Sequence, residues 1–298
     1  MTPSRRGCAT SLILLMAITG SQRAAATDPL PGTDPLTWEG DIASRLVEGA
    51  DRFLLAELQR SIEERAVFWQ RDFSSAAAYQ KSVEPNRQRL AHILGVRDPR
   101  VASPEMELVA TTSQDALVGR SDRYQVFAVR WPVLPRVWGE GLLLVPSVDR
   151  PVANVIAIPD ADQTPEMISG LMEGVEPVSQ YARSLAANGC RVLVPVLINR
   201  QLKQRGRATT TTREFLYRSS FELGRHLIGY ELQKILAGVD WLVRDGPASG
   251  QRVVVVGWGE GGMLALYASA LDTRIDVTCV SGYFGPRESI WQQPIDRN

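Results

Sequence analysis

The residues of this sequence that could support chemistry surround one short turn, Gly257–Gly261, with the sequence Gly-Trp-Gly-Glu-Gly. The four valines Val253–Val256 precede it and predict a strand that is buried on both faces. The small apolar segment Met263–Leu271 follows and predicts a helix. A serine at the centre of such a strand-turn-helix unit is exposed as a nucleophile. The central residue here is Gly259, so the sequence predicts the turn without its attacking hydroxyl.

Glu260 is the only ionisable side chain in this turn. A carboxylate at the start of a helix is stabilised by the helix dipole, so capping or a salt bridge is its simplest role. The alternative role is a general base that activates water, which requires a raised pKa and an adjacent electrophile. The sequence favours the first interpretation and leaves the second open.

Strands and helices alternate in the part of the chain that must position this turn. The predicted strands are Val152–Ile158, Arg191–Ile198, Arg252–Gly257 and Asp276–Gly282, and the predicted helices are Val175–Asn188, Phe221–Arg244 and Gly261–Leu271. Nearly continuous Val, Ile and Leu strands of this kind indicate a parallel sheet covered on both faces. Three earlier strands, Met106–Thr111, Tyr124–Trp131 and Gly139–Pro146, predict an antiparallel start to the sheet. The predicted fold class is α/β, with a mostly parallel sheet flanked by helices.

Residues 27–104 are predicted to form a linker and a helical N-terminal extension. Apolar residues recur at spacings of three and four over the segment Asp41–Trp69, which predicts an amphipathic helix. A second helix is expected to begin near Ser75. Pro85 is expected to interrupt it and to be the first residue of a new helix. His92 has no acid-base partner nearby in sequence and is interpreted as a surface or packing residue.

Residues 1–26 have the pattern of a signal peptide. Arg5 and Arg6 precede the apolar stretch Ala9–Gly20, which is too short to span a bilayer comfortably. The alanines Ala24–Ala26 then offer a cleavage site. We expect an exported protein, periplasmic or extracellular, without a stable membrane span after cleavage; an uncleaved anchor is the alternative.

Composition excludes several kinds of partner and cofactor. The 298 residues carry 33 basic and 33 acidic side chains, so no nucleic-acid partner is expected. There is no CxxC motif and no His/Cys cluster, so we expect neither a metal nor another cofactor. Cys190 and Cys279 are predicted to be small buried residues on strands that are not neighbours, and therefore not to form a disulfide.

From about Val109 to Asn298 the chain resembles the α/β-hydrolase superfamily, and within it the dienelactone hydrolase and acetyl xylan esterase branch. The turn Gly257–Gly262, Gly-Trp-Gly-Glu-Gly-Gly, is similar to a Gly-Tyr-Gly-Glu-Gly-Gly turn in exported bacterial members. The segment Ser281–Phe284, Ser-Gly-Tyr-Phe, and the helix running from Gly229 to Leu242 are also similar to that branch. The resemblance is fairly specific for the fold and weak for activity.

The resemblance implies acyl transfer by a serine, a histidine base and an oxyanion hole. It assigns the oxyanion donors to the backbone N–H of Glu260 and to the loop that begins at Asp160. The glycines Gly257, Gly261 and Gly262 would maintain the turn. The sequence departs from this scheme twice, because Gly259 replaces the serine and no histidine follows His226.

These departures lead us to expect a protein that is inactive as a triad hydrolase, with an α/β domain over residues 105–298 that lacks its last strands. Whether the chain is an enzyme is left open. The leading interpretation is an exported member of a carboxylic ester hydrolase family, and the alternatives are a non-catalytic ligand-binding protein and a vestigial fragment. The expected ligand is a small molecule or a carbohydrate ester.

Three further features have two interpretations each. Trp258 and Tyr283 flank the expected site and could stack on a sugar ring, although packing is the simpler role. The basic segment Asn199–Arg213 is either a cationic lid that favours anionic substrates or a solvated mobile loop. His226 is interpreted as a histidine at a helix end, and a catalytic role is less favoured.

Overall fold

The computed structural model of the protein describes residues 29–244, 251–286 and 288–289. The predicted signal peptide, residues 1–26, lies outside these ranges. By its contacts the chain divides into two compact units, Met1–Gln59 and Arg60–Asn298. No helix within the described ranges is both long enough and apolar enough to cross a membrane.

Helix α1, Ile42–Glu64, is the amphipathic helix that the apolar spacing predicts. It begins where the Asp41 carboxylate accepts hydrogen bonds from the N–H groups of Ala43, at 3.0 Å, and Ser44, at 3.2 Å. None of its residues is buried, and Phe53 is 60% exposed. The apolar spacing therefore specifies the helix, but in the described structure it contributes nothing to a core.

Helix α2, Ala76–Ile93, follows the short 3-10 segment Arg65–Phe68 and is continuous through Pro85. The predicted interruption at Pro85 is wrong. A proline inside a helix removes one backbone hydrogen bond, and packing on both sides of it can offset this loss. Here Val83 is buried, and the Arg87 guanidinium donates to the carbonyl of Ala270, in the same unit.

Within the described residues, ten strands form an eight-stranded sheet and a separate hairpin. They are β1 Glu107–Leu108, β2 Leu117–Arg120, β3 Tyr124–Leu134, β4 Val137–Pro146, β5 Asn154–Ile158, β6 Arg191–Pro195, β7 Leu202–Arg205, β8 Ala208–Thr211, β9 Val253–Trp258 and β10 Val277–Ser281. The large sheet has the order β1-β3-β4-β6-β5-β9-β10, and β2 also pairs with β3. Strands β6, β5, β9 and β10 are parallel, whereas β1 to β4 pair antiparallel. This arrangement confirms the predicted fold class.

Five further helices connect and cover the strands. They are α3 Pro165–Ser169, α4 Tyr181–Ala187, α5 Thr212–Glu222, α6 Leu227–Arg244 and α7 Glu260–Leu271. The helix predicted from Phe221 to Arg244 is two helices, because Gly224 has a φ of +64° and ends α5. The basic segment predicted as a loop contains the hairpin β7–β8.

Strands β5 and β6 are buried on both faces, as their continuous apolar sequence predicts, whereas β9 alternates between buried and half-buried residues and β10 has no buried residue. On one face, Ile156 of β5 packs with Leu232 of α6 and Leu264 of α7, all with no exposed surface. On the other face, Val155 packs with Ala182 of α4. Strand β5 is buried on both faces and pairs with β9 along its whole length, so the segments that leave the carboxyl ends of these two strands start from the same edge of the sheet.

Both cysteines in the described ranges are free thiols, which agrees with the prediction that they do not pair. Cys190 is buried as predicted, but the expectation of burial is wrong for Cys279, which is exposed. The reason is that β10, within the described residues, pairs only with β9 and forms an edge of the sheet.

Candidate functional site

The turn between β9 and α7 has the strand-turn-helix geometry that the sequence predicts. Gly259 lies at its centre with φ 57° and ψ −121°, and it precedes the first residue of α7. Its N–H donates to the carbonyl of Ser281 at 2.8 Å, which joins the turn to the end of β10. Glycine adopts positive φ at little cost, whereas other residues are strained there.

The other turn glycines allow the backbone to approach too closely for a side chain. A Cβ on Gly257 would lie 2.0 Å from the carbonyl oxygen of Gly261. A Cβ on Gly261 would lie 2.2 Å from the carbonyl oxygen of Ile158, at the end of β5, and one on Gly262 would lie 2.7 Å from that of Ser281. The glycines therefore bring α7 against β5, β9 and β10 at the carboxyl edge of the sheet.

The carboxylate of Asp160 lies directly above Gly259. A Cβ on Gly259 would be 2.8 Å from Asp160 Oδ1 and 2.9 Å from its Cγ. The same Oδ1 accepts a hydrogen bond of 2.9 Å from the backbone N–H of Glu260. The carboxylate thus occupies the space in which a nucleophile's side chain would begin, and it binds the N–H that the resemblance assigns to an oxyanion.

The second implied oxyanion donor also has an internal partner. This donor lies in the loop after β5, which begins at Asp160. The backbone N–H of Asp160 donates to Gln163 Oε1 at 3.3 Å. The sequence assigns Asp160 a role only through this N–H and does not predict the position of its carboxylate. The available signal is that an acidic residue directly after a parallel strand lies at the sheet edge where open α/β folds bind ligands.

The side chain of Glu260 is held by two arginines and is only 8% exposed. Its Oε2 lies 2.7 Å from Arg200 Nη2, and its Oε1 pairs with Arg213 Nη2. Burial raises the pKa of Glu260 to about 7. The guanidinium groups of Arg213 and Arg200 act against this increase, and the carboxylates of Glu231 and Asp160 add to it. Because both oxygens are engaged by cations, this geometry favours a salt bridge over a general base.

The salt bridge at Glu260 continues into α6 and the loop after β6. Arg213, with 1% of its side chain exposed, donates from Nη1 to the carbonyl of Ile198 at 2.8 Å. The buried carboxylate of Glu231 accepts from the N–H of Ile198 at 2.7 Å and lies 4.0 Å from Arg213. Arg200 also pairs with Asp162 at 3.0 Å. The two arginines that begin and end the expected cationic lid are therefore neutralised by carboxylates.

A cavity of about 470 Å³ lies beside the turn, and its lining includes Trp258, Tyr181, Gln163, Glu176 and Ser281. Trp258 is 51% exposed. The hydroxyl of Tyr181 donates to the carbonyl of Ile158 at 2.6 Å. Burial raises the pKa of Tyr181, the negative charge of Asp160 adds to this effect, and the phenol is therefore neutral in the physiological range.

Tyr283 and the two histidines make their contacts elsewhere. The hydroxyl of Tyr283 lies 3.2 Å from that of Tyr267 on α7, and Tyr283 does not line the cavity beside Trp258. His226 Nδ1 accepts from the N–H of Ile228 at 3.1 Å, at the start of α6. His92 is paired with Arg97 at the end of α2. None of these contacts places an imidazole against Gly259.

The dienelactone hydrolase family matches residues 153–297. Among solved structures, a proposed acetyl xylan esterase from Bacteroides fragilis is 17% identical with a TM-score of 0.54, over 71% of this chain and 55% of that chain. Acetyl xylan esterase 1 from Thermoanaerobacterium sp. is 14% identical with a TM-score of 0.43, over 70% of this chain and 61% of that chain. No curated protein matches the sequence.

The alignments thus span 55% and 61% of the lengths of these two proteins. The likeness to the Bacteroides protein shows a shared fold. The family match covers the segment that holds β5, the turn at Gly259 and β10.

We predict that Glu260→Gln lowers the free energy of unfolding by about 3 kcal/mol, because removal of one charge leaves buried Arg213 without its full ion pair. Urea denaturation measures this loss. Glu107→Gln is the matched control, since the Glu107–Arg130 pair is exposed and is expected to contribute less than about 1 kcal/mol. Equal losses for the two variants would contradict the structural role of Glu260.

We also predict that His226 makes the fold less stable at acid pH. Burial lowers the pKa of His226, with a smaller effect from Arg213, below its ordinary value of 6.5. The unfolded chain therefore binds more protons as the pH falls through 6.5, and stability decreases. His226→Asn keeps an acceptor for Ile228 N–H and removes the titration, so its stability should fall less between pH 7.5 and pH 5. Parallel pH profiles for the variant and wild type would count against this prediction.

Proposed function

We propose that this chain, whose residues 153–297 belong to the dienelactone hydrolase branch of the α/β-hydrolases, binds an ester ligand without cleaving it through a serine. The ester hydrolase family supplies the fold and the cavity at the carboxyl edge of the sheet. The proposed absence of serine chemistry is based on two residues at the turn, Gly259 and Asp160.

The position of the Asp160 carboxylate is the observation that carries this proposal. Serine hydrolysis requires a nucleophile, a base and vacant N–H donors for the oxyanion. Gly259 provides no nucleophile, and the N–H of Glu260 already donates to Asp160 at 2.9 Å. A tetrahedral intermediate formed above Gly259 would place its negative oxygen beside this carboxylate, where like charges repel.

The cavity beside the turn supports the retention of a ligand. Trp258 offers a half-exposed aromatic face, and Gln163, Glu176 and Ser281 offer polar groups at the wall. A pocket with an aromatic surface and a few polar groups suits a small ring-bearing ligand. We therefore infer that the ligand is a small ester or an acylated carbohydrate, held by stacking on Trp258.

The test measures cleavage and binding separately. We expect purified protein to release no burst of p-nitrophenol from p-nitrophenyl acetate and to remain unlabelled by a fluorophosphonate. Acetylated xylo-oligosaccharide should bind in calorimetry, and Trp258→Ala should weaken binding about fivefold because it removes an aromatic contact. Tyr283→Ala is the control, since Tyr283 does not line the cavity and should leave binding unchanged.

Rapid turnover that a fluorophosphonate abolishes would overturn the proposed lack of serine chemistry. Absence of any saturable binding by the wild-type protein would instead overturn the ligand-binding role. The two outcomes are independent, because the first concerns the turn and the second concerns the cavity beside it.

We further propose that the protein is exported. The support is the sequence of residues 1–26, with two arginines, a short apolar stretch and three alanines. The protein secreted by a bacterial host is expected to begin at Thr27, which N-terminal sequencing would detect. Recovery of the intact chain from the cytoplasm alone would contradict export.

A further inference from the structure

A second cavity lies between the 3-10 segment Arg65–Phe68, helix α2 and the C-terminal end of α7. Its volume is about 530 Å³, which is typical of small-molecule sites. It shares no lining residue with the cavity beside Trp258. We call it the aromatic groove, because Phe68, Trp69 and Tyr79 line it.

Two of the three aromatic rings of this groove are exposed to solvent. Phe68 is 50% exposed and Trp69 is 42% exposed. The segment that carries them is fixed, since Asn86 Nδ2 on α2 donates to the carbonyl of Phe68 at 2.9 Å. A fixed concave surface with exposed aromatic faces is suited to stacking on a flat ring.

The charged residues of the groove are positive. Arg65, Arg87 and Arg89 line it, and no acidic residue does. Arg87 is engaged by Gln80 Oε1 at 3.1 Å and by Glu84, whose carboxylate lies 3.5 Å away. Among the described residues, no carboxylate forms an ion pair with Arg65 or Arg89.

The guanidinium of Arg89 lies 4.2 Å from the ring centre of Phe68. Stacking of this kind orients the guanidinium and leaves its N–H groups available to an acceptor. A carboxylate is an acceptor that a guanidinium binds through two parallel hydrogen bonds. The groove therefore presents an aromatic surface next to an oriented cation.

We propose that the aromatic groove binds an aromatic carboxylate, with its ring on Phe68 or Trp69 and its carboxylate on Arg65 or Arg89. A neutral aromatic compound would stack but leave the cations unpaired, and an organic cation would be repelled. The site is independent of the proposed function, because it lies at the opposite end of α7 from the turn at Gly259.

Calorimetry at low ionic strength with 2-naphthoate tests the proposal, and uncharged 2-naphthamide is the matched probe. We expect 2-naphthoate to bind at least tenfold more tightly than the amide, since a hydrogen bond to a charged group is worth about that factor. Arg65→Gln and Arg89→Gln together should remove this preference. Both side chains are exposed, so the double variant should fold as the wild type does.

Arg71→Gln is the control variant. The Arg71 guanidinium also stacks on Trp69, at 4.2 Å, but Arg71 does not line the groove, so its loss should leave 2-naphthoate binding unchanged. Trp258→Ala should likewise bind 2-naphthoate normally, which separates this site from the cavity beside the turn.

Equal affinity for the acid and the amide would overturn the proposal, as would undiminished binding by the double variant. Concentration-dependent dimerisation that the double variant abolishes would assign the groove to contact between copies of this chain, and would overturn the proposal as well.

Discussion

The ion pair between Arg213 and Glu260 is the interaction on which the arrangement of the site depends. Arg213 is 1% exposed and lies between carboxylates from two helices, Glu260 at the start of α7 and Glu231 in α6. Charges removed from water in this way are stable only when each has its partner. The pair therefore fixes the loop after β6, the start of α5 and the first turn of α7 relative to one another.

The same ion pair explains how an acidic residue is retained inside a tight backbone turn. The side chain of Glu260 faces the arginines, while its N–H faces Asp160. The carboxylates of Asp160 and Glu260 thus lie beside one turn, the first bound to a backbone N–H and the second to two arginines. A hydrolase of this fold requires its turn to stabilise negative charge that develops during reaction, whereas here the N–H of Glu260 already donates to the carboxylate of Asp160.

The sequence predicts the fold well and the site only in outline. Continuous apolar strands such as Val253–Val256 specify a buried parallel sheet, and the glycines around Gly259 specify the turn, because both signals are local. The continuity of α2 through Pro85 depends on packing from elsewhere, which local pattern does not contain. Burial of Arg213 and the position of the Asp160 carboxylate depend on contacts between residues 47 and 100 positions apart. Contacts between residues so far apart in sequence form only when the chain is folded, so local sequence patterns do not predict them.

The Asp160 carboxylate above Gly259 also restricts the evolutionary paths that are open to this protein. The Cβ of a serine introduced at position 259 would lie 2.8 Å from Asp160 Oδ1, so the carboxylate that accepts from Glu260 N–H would have to shift. Replacement of Asp160 alone would give up the same bond without supplying a nucleophile. The two positions are therefore epistatic, since neither substitution gains anything without the other.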